Sequence, residues 1–163
     1  MSCPGDITIR TTLQPGDVET IVEMHRAIYA REHGFDDTFA AYVAEPLGAF
    51  ARQPKERERI WIAERAGGIV GCVAIVEVDA RVGQLRWFLV DPAARGAGLG
   101  RRLLDHAVAF ARRGGYETII LWTVSALHAA AHLYRAVGFE KVLERPGRAW
   151  GVDVTEEKYE LSL

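Results

Sequence analysis

Arg95-Gly96-Ala97-Gly98-Leu99-Gly100 is the stretch that most restricts how this chain can fold. It follows the apolar run Leu85 to Val90 and opens the amphipathic stretch Leu99 to Arg112, so the segment reads as a strand, a tight loop and a helix. Glycine at alternate positions removes Cβ atoms where the backbone must turn sharply, and successive N–H groups can then point into one concavity. The first turn of the helix adds donors without an intrahelical acceptor and roughly half a positive charge. Together they make a site suited to phosphate. Arg95 and Arg101-Arg102 bracket it with fixed positive charge. The plainer alternative is a loop that only lets the helix pack closely on its strand.

Spacing narrows the choice. A dinucleotide-binding Gly-x-Gly-x-x-Gly starting at Gly96 needs glycine where Arg101 stands, so that register fails. The Gly-Lys-Ser/Thr of a nucleotide P-loop is missing too. What remains is Arg-x-x-Gly-x-Gly, Arg95 to Gly100, preceded by Val90-Asp91-Pro92.

The 163 residues carry no composition break, which predicts a single domain over 1–163. Hydrophobic residues at 49% and charged residues at 26% are ordinary for a soluble globular protein. A net charge of −2 gives no general attraction to nucleic acid or to anionic membranes, so neither is expected as a partner. The two cysteines, Cys3 and Cys72, make neither a disulfide framework nor a metal cluster, which points to a reduced, cytoplasmic setting. No apolar run reaches about 18 residues and no secretion signal opens the chain.

Ile7 to Ile9 predicts a short strand ending at Gln14-Pro15-Gly16. Asp17 then caps a helix whose apolar face runs through Val18, Ile21, Val22, His25, Ile28 and Tyr29, with Gly34 as its stop. A second helix begins at Asp36-Asp37 and presents Phe39, Val43, Leu47 and Phe50, and Pro46 is expected to break or restart it. Ile60 to Ala63 reads as a strand, Gly67-Gly68 as a hairpin turn, Ile69 to Val78 as the next strand, and Gly83 as a reversal into Gln84 to Val90. Apolar residues on both faces of that last strand predict a central, doubly covered one. After the loop, Leu99, Leu103, Leu104, Ala107, Val108 and Phe110 face a core as far as Gly114-Gly115. A strand at Ile119 to Trp122, a helix from Ala126 to Val137, a strand from Phe139 to Leu143 and a half-exposed strand through Tyr159, Leu161 and Leu163 complete the order.

Two signatures in that order resemble the GCN5-related N-acetyltransferases (GNAT): Val90-Asp91-Pro92 with Arg95 to Gly100, and Ala130-x-x-Leu133-Tyr134-x-x-x-Gly138-Phe139. The likeness is strongest from Gln84 to Phe139. Tyr29 to Asp36 also looks like a bacterial subgroup in which such a domain is sometimes fused to a MarR-type DNA-binding domain; no such domain is recognisable in these residues. The resemblance implies a mixed α/β fold (α+β), with a mostly antiparallel sheet of about six to seven strands flanked by about four helices. It implies acetyl-CoA as cosubstrate, no metal, and direct transfer of acetyl to a primary amine of a small molecule or peptide. It also allows a homodimer.

By the same resemblance, the backbone of Gly96, Ala97, Gly98, Leu99, Gly100 and Arg101 holds the pyrophosphate, with side-chain support from Arg95 and Arg101. An amide at Leu89 or Val90 polarises the thioester carbonyl. The pantetheine arm lies in a gap between this strand and Thr118 to Thr123, and Tyr134 is the general acid for the departing thiolate. The family's asparagine seven residues before this tyrosine is Leu127 here, leaving Ser125 or His128 to stand in. An amine with a pKa of ~10.4 must lose a proton before it attacks. Glu77, Glu32, His25 and His33 are the candidate bases, with water as the alternative. His128 and His132 have metal-ligand spacing but no third ligand at a telling distance. Tyr29, Phe35, Arg148 and Trp150 are expected to wall the acceptor site. A non-catalytic acyl-CoA sensor is the competing reading.

Overall fold

In the computed structural model, which describes residues 5–163, the elements run β1 (Ile7–Arg10), α1 (Asp17–His33), α2 (Thr38–Arg52), β2 (Arg59–Arg65), β3 (Gly68–Glu77) and β4 (Val82–Val90). After a short 3-10 turn at Pro92–Ala94 come α3 (Leu99–Arg113), β5 (Thr118–Val124), α4 (His128–Val137), β6 (Glu140–Ala149) and β7 (Val152–Ser162). Seven strands form one sheet in the order β1-β2-β3-β4-β5-β7-β6. Every neighbouring pair is antiparallel except β4 with β5. This is the mixed, mostly antiparallel sheet with four helices that the resemblance implied.

Both faces of the sheet are covered, and alternate residues of each central strand serve different cores. Ile60 and Ile62 of β2 and Cys72 and Ala74 of β3 pack under α1 and α2, with Ile21, Phe39, Val43 and Leu47. Trp61, Ala63, Val73 and Ile75 pack under α3 and α4, with Leu103, Leu104, Ala107 and Tyr134. Double coverage explains why β3 is one continuous apolar run.

β4 changes faces midway. Leu85 belongs to the α3 core, whereas Trp87 and Leu89 belong to the α1–α2 core. The switch is a bulge: Cys72 pairs with Leu89 and Ala74 with Arg86, so one residue of β3 stands against two of β4. Trp87 sits there at φ 52, a left-handed conformation uncommon for a bulky residue, and its carbonyl accepts the Cys72 Sγ–H at 3.0 Å. The apolar residues on both faces of this strand are the sequence trace of that bulge.

Several elements differ from the sequence expectation. Pro46 does not interrupt α2, which keeps Phe39, Val43, Leu47 and Phe50 buried along one face, and that burial outweighs the missing donor. Asp17 is the first residue of α1 rather than its cap; its carboxylate accepts from Arg10 and from the Gln14 N–H. The reversal before β4 is at Asp79 to Arg81, where Asp79 Oδ1 accepts from the Arg81 and Val82 amides, and Gly83 lies inside β4 against the Tyr116 ring. The β2–β3 turn is at Ala66-Gly67, one residue earlier than expected. The largest difference is the β6–β7 hairpin, which runs through Arg145 and Pro146 to a left-handed turn at Trp150 (φ 52) and Gly151 (φ 81). β6 is exposed along nearly its whole length, so no apolar alternation marks it.

Cys72 is free and buried, and Cys3 lies outside the described residues. Among the described residues no helix is long and apolar enough to cross a membrane.

Candidate active site

The sheet comes apart between β4 and β5. These strands pair only at Val82 with Thr118, Gly83 with Ile119 and Gln84 with Ile120. Beyond these rungs Leu85 to Val90 and Leu121 to Val124 diverge, and a cleft of about 120 Å³ opens between them. Asp91 donates its amide to Val70 O at 2.8 Å, across to β3. By strand alternation Leu89 also turns its amide toward β3, and Val90 turns its amide into the gap. Of Leu89 and Val90, only Val90 turns its amide into the gap.

The glycine loop stands at the mouth of this gap. Asp91 Oδ1 caps the 3-10 turn by accepting from the Ala93 amide at 2.8 Å, and the chain then passes through Gly96 (φ 88), Ala97 and Gly98 (φ 80) into α3. Gly98 occupies the N-cap and has no side chain to satisfy the first turn, so the amides of Leu99, Gly100 and Arg101 point outward uncapped. Gly96 and Gly98 look into open space, so their need is conformational. Gly100 is different: a Cβ there would meet Leu133 Cδ1 at 2.8 Å and Phe88 Cζ at 3.3 Å. Close packing thus accounts for Gly100, whereas Gly96 and Gly98 serve the turn itself.

The flanking cations are less available than expected. Arg95 makes a two-pronged pair with Glu32 at 2.7 and 2.8 Å and donates from Nε to Val90 O at 3.2 Å, which ties the loop to the end of α1. Arg101 pairs with Asp105 at 3.0 Å on the exposed side of α3. The donors this loop leaves open are therefore its backbone amides, and Arg95 ties the loop to α1.

Tyr134 of α4 lines the cleft, one turn before Gly138 ends the helix. Its ring packs against Phe88, Phe139 and Tyr159 at 5.8 to 5.9 Å. No described residue bonds its hydroxyl, and burial pushes its pKa well above the usual phenol value, so it stays a neutral O–H donor. Thr123 Oγ1, on the β5 wall, is buried with no partner. An orphaned hydroxyl in a cleft is a hydrogen bond left for whatever fills it.

The opposite wall is aromatic. Tyr29 meets Phe39 at 4.7 Å, and Trp150, at the hairpin tip, reaches Phe35 at 4.9 Å and Phe39 at 5.1 Å. Trp150 is held by its carbonyl, which accepts the Asp36 amide at 2.9 Å. Of the four wall residues expected from sequence, the aromatic three, Tyr29, Phe35 and Trp150, come together. Phe39 and Tyr42 join them, and helical periodicity had marked Phe39 only as core. Arg148 does not join them: it is bonded to Asp153 and Gly151 O within the turn.

The candidate bases separate clearly. Glu77 pairs across from Gly83 at the closed end of the splay, far from the gap. Glu32 is occupied by Arg95, and His33 lines an outer groove with Ser125 and Asp153. His25 does line the cleft; it is 3% exposed, and its Nδ1 bonds Ile21 O at 2.8 Å, which places the proton on Nδ1 and leaves Nε2 bare. Burial lowers its pKa to about 4, too low to deprotonate an amine well. Glu156, missed in the sequence, lines the cleft in an ion pair with Arg145 at 3.0 Å. Leu127 itself lines the cleft, Ser125 lies in the outer groove, and His128 opens α4. Among the described residues no group of three or more His, Cys, Asp or Glu could hold a metal ion.

Comparison with known proteins agrees with this geometry. The Acetyltransferase (GNAT) family model matches residues 20–139. An IAA acetyltransferase of Azospirillum brasilense is 37% identical over 82 residues, covering 50% of this chain and 54% of that protein. A mycothiol acetyltransferase of Thermobispora bispora is 30% identical over 158 residues, covering 93% of this chain and 50% of that protein. The chain spans about half the length of these curated relatives. Among solved structures, yncA of Salmonella typhimurium with its cofactor acetyl-CoA aligns with a TM-score of 0.77 at 20% identity, over 96% of this chain and 93% of that one, which speaks for the fold. Matched over most of its length by that family model, and built on the same fold, the chain belongs to the GNAT acetyltransferase family.

Proposed function

We propose that the protein transfers acetyl from acetyl-CoA to a primary amine directly, with Tyr134 as general acid. The observation that carries this reading is the splay: an unpaired strand edge runs from an uncapped glycine loop toward Tyr134, a buried residue that lines the cleft and whose hydroxyl no described residue bonds. The pyrophosphate lies on the amides of Gly96 to Arg101 and the pantetheine arm runs along β4. The exposed Arg101–Asp105 pair is worth less than about 1 kcal/mol and yields to a phosphate oxygen. The acetyltransferase names of the relatives, and the acetyl-CoA of the Salmonella structure, support this choice of cosubstrate.

The neutral amine attacks the thioester carbonyl and a C–N bond forms. The developing oxyanion is met by the Val90 N–H. The C–S bond then breaks, the sulfur takes the Tyr134 proton, and the tyrosinate is reprotonated from the amine nitrogen through water. Water serves as the carrier because His25, at a pKa of about 4, is far below an amine of ~10.4. The setting is cytoplasmic, in keeping with the buried free Cys72.

Release of CoA thiol across a panel of amines tests the reaction. Tyr134→Phe should keep acetyl-CoA affinity within about twofold and lower kcat by about 100-fold or more. Unchanged kcat removes Tyr134 from the mechanism. Tight acetyl-CoA binding with no thiol release from any amine would refute transfer and leave a sensor.

A further inference from the structure

We propose that the acceptor is a primary amine bearing both a carboxylate and an aromatic body, and that Arg86 selects it by pairing with the carboxylate; this rests on the transfer reading above. Arg86 stands opposite Ala74 in the β3–β4 pairing, and Ala74 belongs to the core under α1 and α2. Directly opposed residues share a face, so the guanidinium rises on the side of the cleft that the aromatic residues roof. It is half-buried, lines the cleft, and sits 5.1 Å over the Trp87 ring. Among the described residues it has no carboxylate partner and no hydrogen bond.

Charge around the cleft makes this position distinctive. Its one lining carboxylate, Glu156, is already paired with Arg145 at 3.0 Å. Arg145 and Lys158 also sit over the Trp122 ring, at 5.1 and 5.9 Å, on the β5 wall. His25 is held neutral by burial. The cleft therefore carries a cation in excess, which repels an acceptor with a second ammonium and attracts one with an anion. A guanidinium has five donors in a fork that fits a carboxylate, and here they have no acceptor among the described residues. Facing it, the Tyr29, Phe35, Phe39 and Trp150 rings offer an apolar surface suited to an aromatic body. Arg86 precedes Val90 by four positions on one strand, within roughly 13 Å by strand rise, so one small molecule spans both.

Thiol release from acetyl-CoA with phenylalanine and with 2-phenylethylamine, which differ by the carboxylate, reads the selection. The full chain should favour phenylalanine in kcat/KM by about 10-fold or more. R86Q should collapse that ratio by about 10- to 100-fold, mainly through KM, and R86K should recover part of it. Alanine should be at least about 10-fold worse than phenylalanine. A native preference for 2-phenylethylamine, or an R86Q ratio equal to the native one, overturns the role of Arg86, and equal rates with alanine overturn the aromatic part. Calorimetric binding of phenylalanine to protein saturated with CoA separates this from the reaction itself. Binding that R86Q weakens about 10-fold, without thiol release, upholds Arg86 while transfer fails; thiol release with no dependence on Arg86 does the reverse. Absence of both thiol release and phenylalanine binding overturns the proposal.

Discussion

Lowering the pH protonates His25 in the unfolded chain long before it does so in the folded one. The imidazole is 3% exposed, stacks on Tyr29 at 5.9 Å, and has a folded pKa of about 4 because burial penalises its charged form. In the unfolded chain the value returns to about 6.5. Above pH 6.5 neither state binds the proton. Between about 6.5 and 4 only the unfolded state does, so stability falls as pH falls, and below 4 the effect levels off. A gap of about 2.5 units at 1.36 kcal/mol each gives roughly 3 kcal/mol, a large share of a typical 5–15 kcal/mol. Urea unfolding followed by tryptophan fluorescence from pH 7.5 to 4.0, on the native chain and on His25→Gln, measures it. Glutamine keeps a donor for Ile21 O but has no proton to gain. The native chain's advantage over the variant should shrink by about 3 kcal/mol across that range. His33, also lowered by burial, is present in both proteins and cancels. So does Asp17, whose burial pushes its pKa up but whose Arg10 and Gln14 bonds outweigh this and hold it below the usual range. Parallel stability curves for the two proteins would refute the reasoning.

Gly98 at φ 80 has free space where a Cβ would go, so Gly98→Ala should cost only its left-handed strain, about 1–2 kcal/mol by thermal unfolding; no loss would mean the loop relaxes. In a Cys3→Ser background, Cys72 should resist a thiol reagent at pH 8 until urea is added, because burial drives its pKa up to about 12; rapid labelling of the native protein contradicts that. Glu32→Gln should change stability by less than about 1 kcal/mol, because its pair with Arg95 is partly exposed, and a larger loss would show the tether supports the fold.

The strand, loop and helix around Arg95 to Gly100 were legible because glycine placement and helical periodicity are local. So was the meeting of Tyr29, Phe35 and Trp150, once the resemblance was in hand. Trp87 was opaque: its positive φ follows from the bulge, and the bulge follows from pairing with β3. The long hairpin was missed because β6 is exposed, and a strand with no buried face leaves no alternation. The pair of Arg95 with Glu32 was not legible because Glu32 is on a distant helix, which no local pattern reveals. Arg86 stood out only after every neighbouring charge had found its partner.

The three rungs between β4 and β5 divide the sheet into two antiparallel halves, β1 to β4 and β5 to β6, joined along a short seam. Exposed strand edges invite other chains to add on, and proteins usually blunt them with charge, proline or closure. Here the two edges face each other across a cleft lined by residues of α1, α2 and the hairpin tip. The fold thus turns two strand edges inward, where each can pair only with what enters the gap between them.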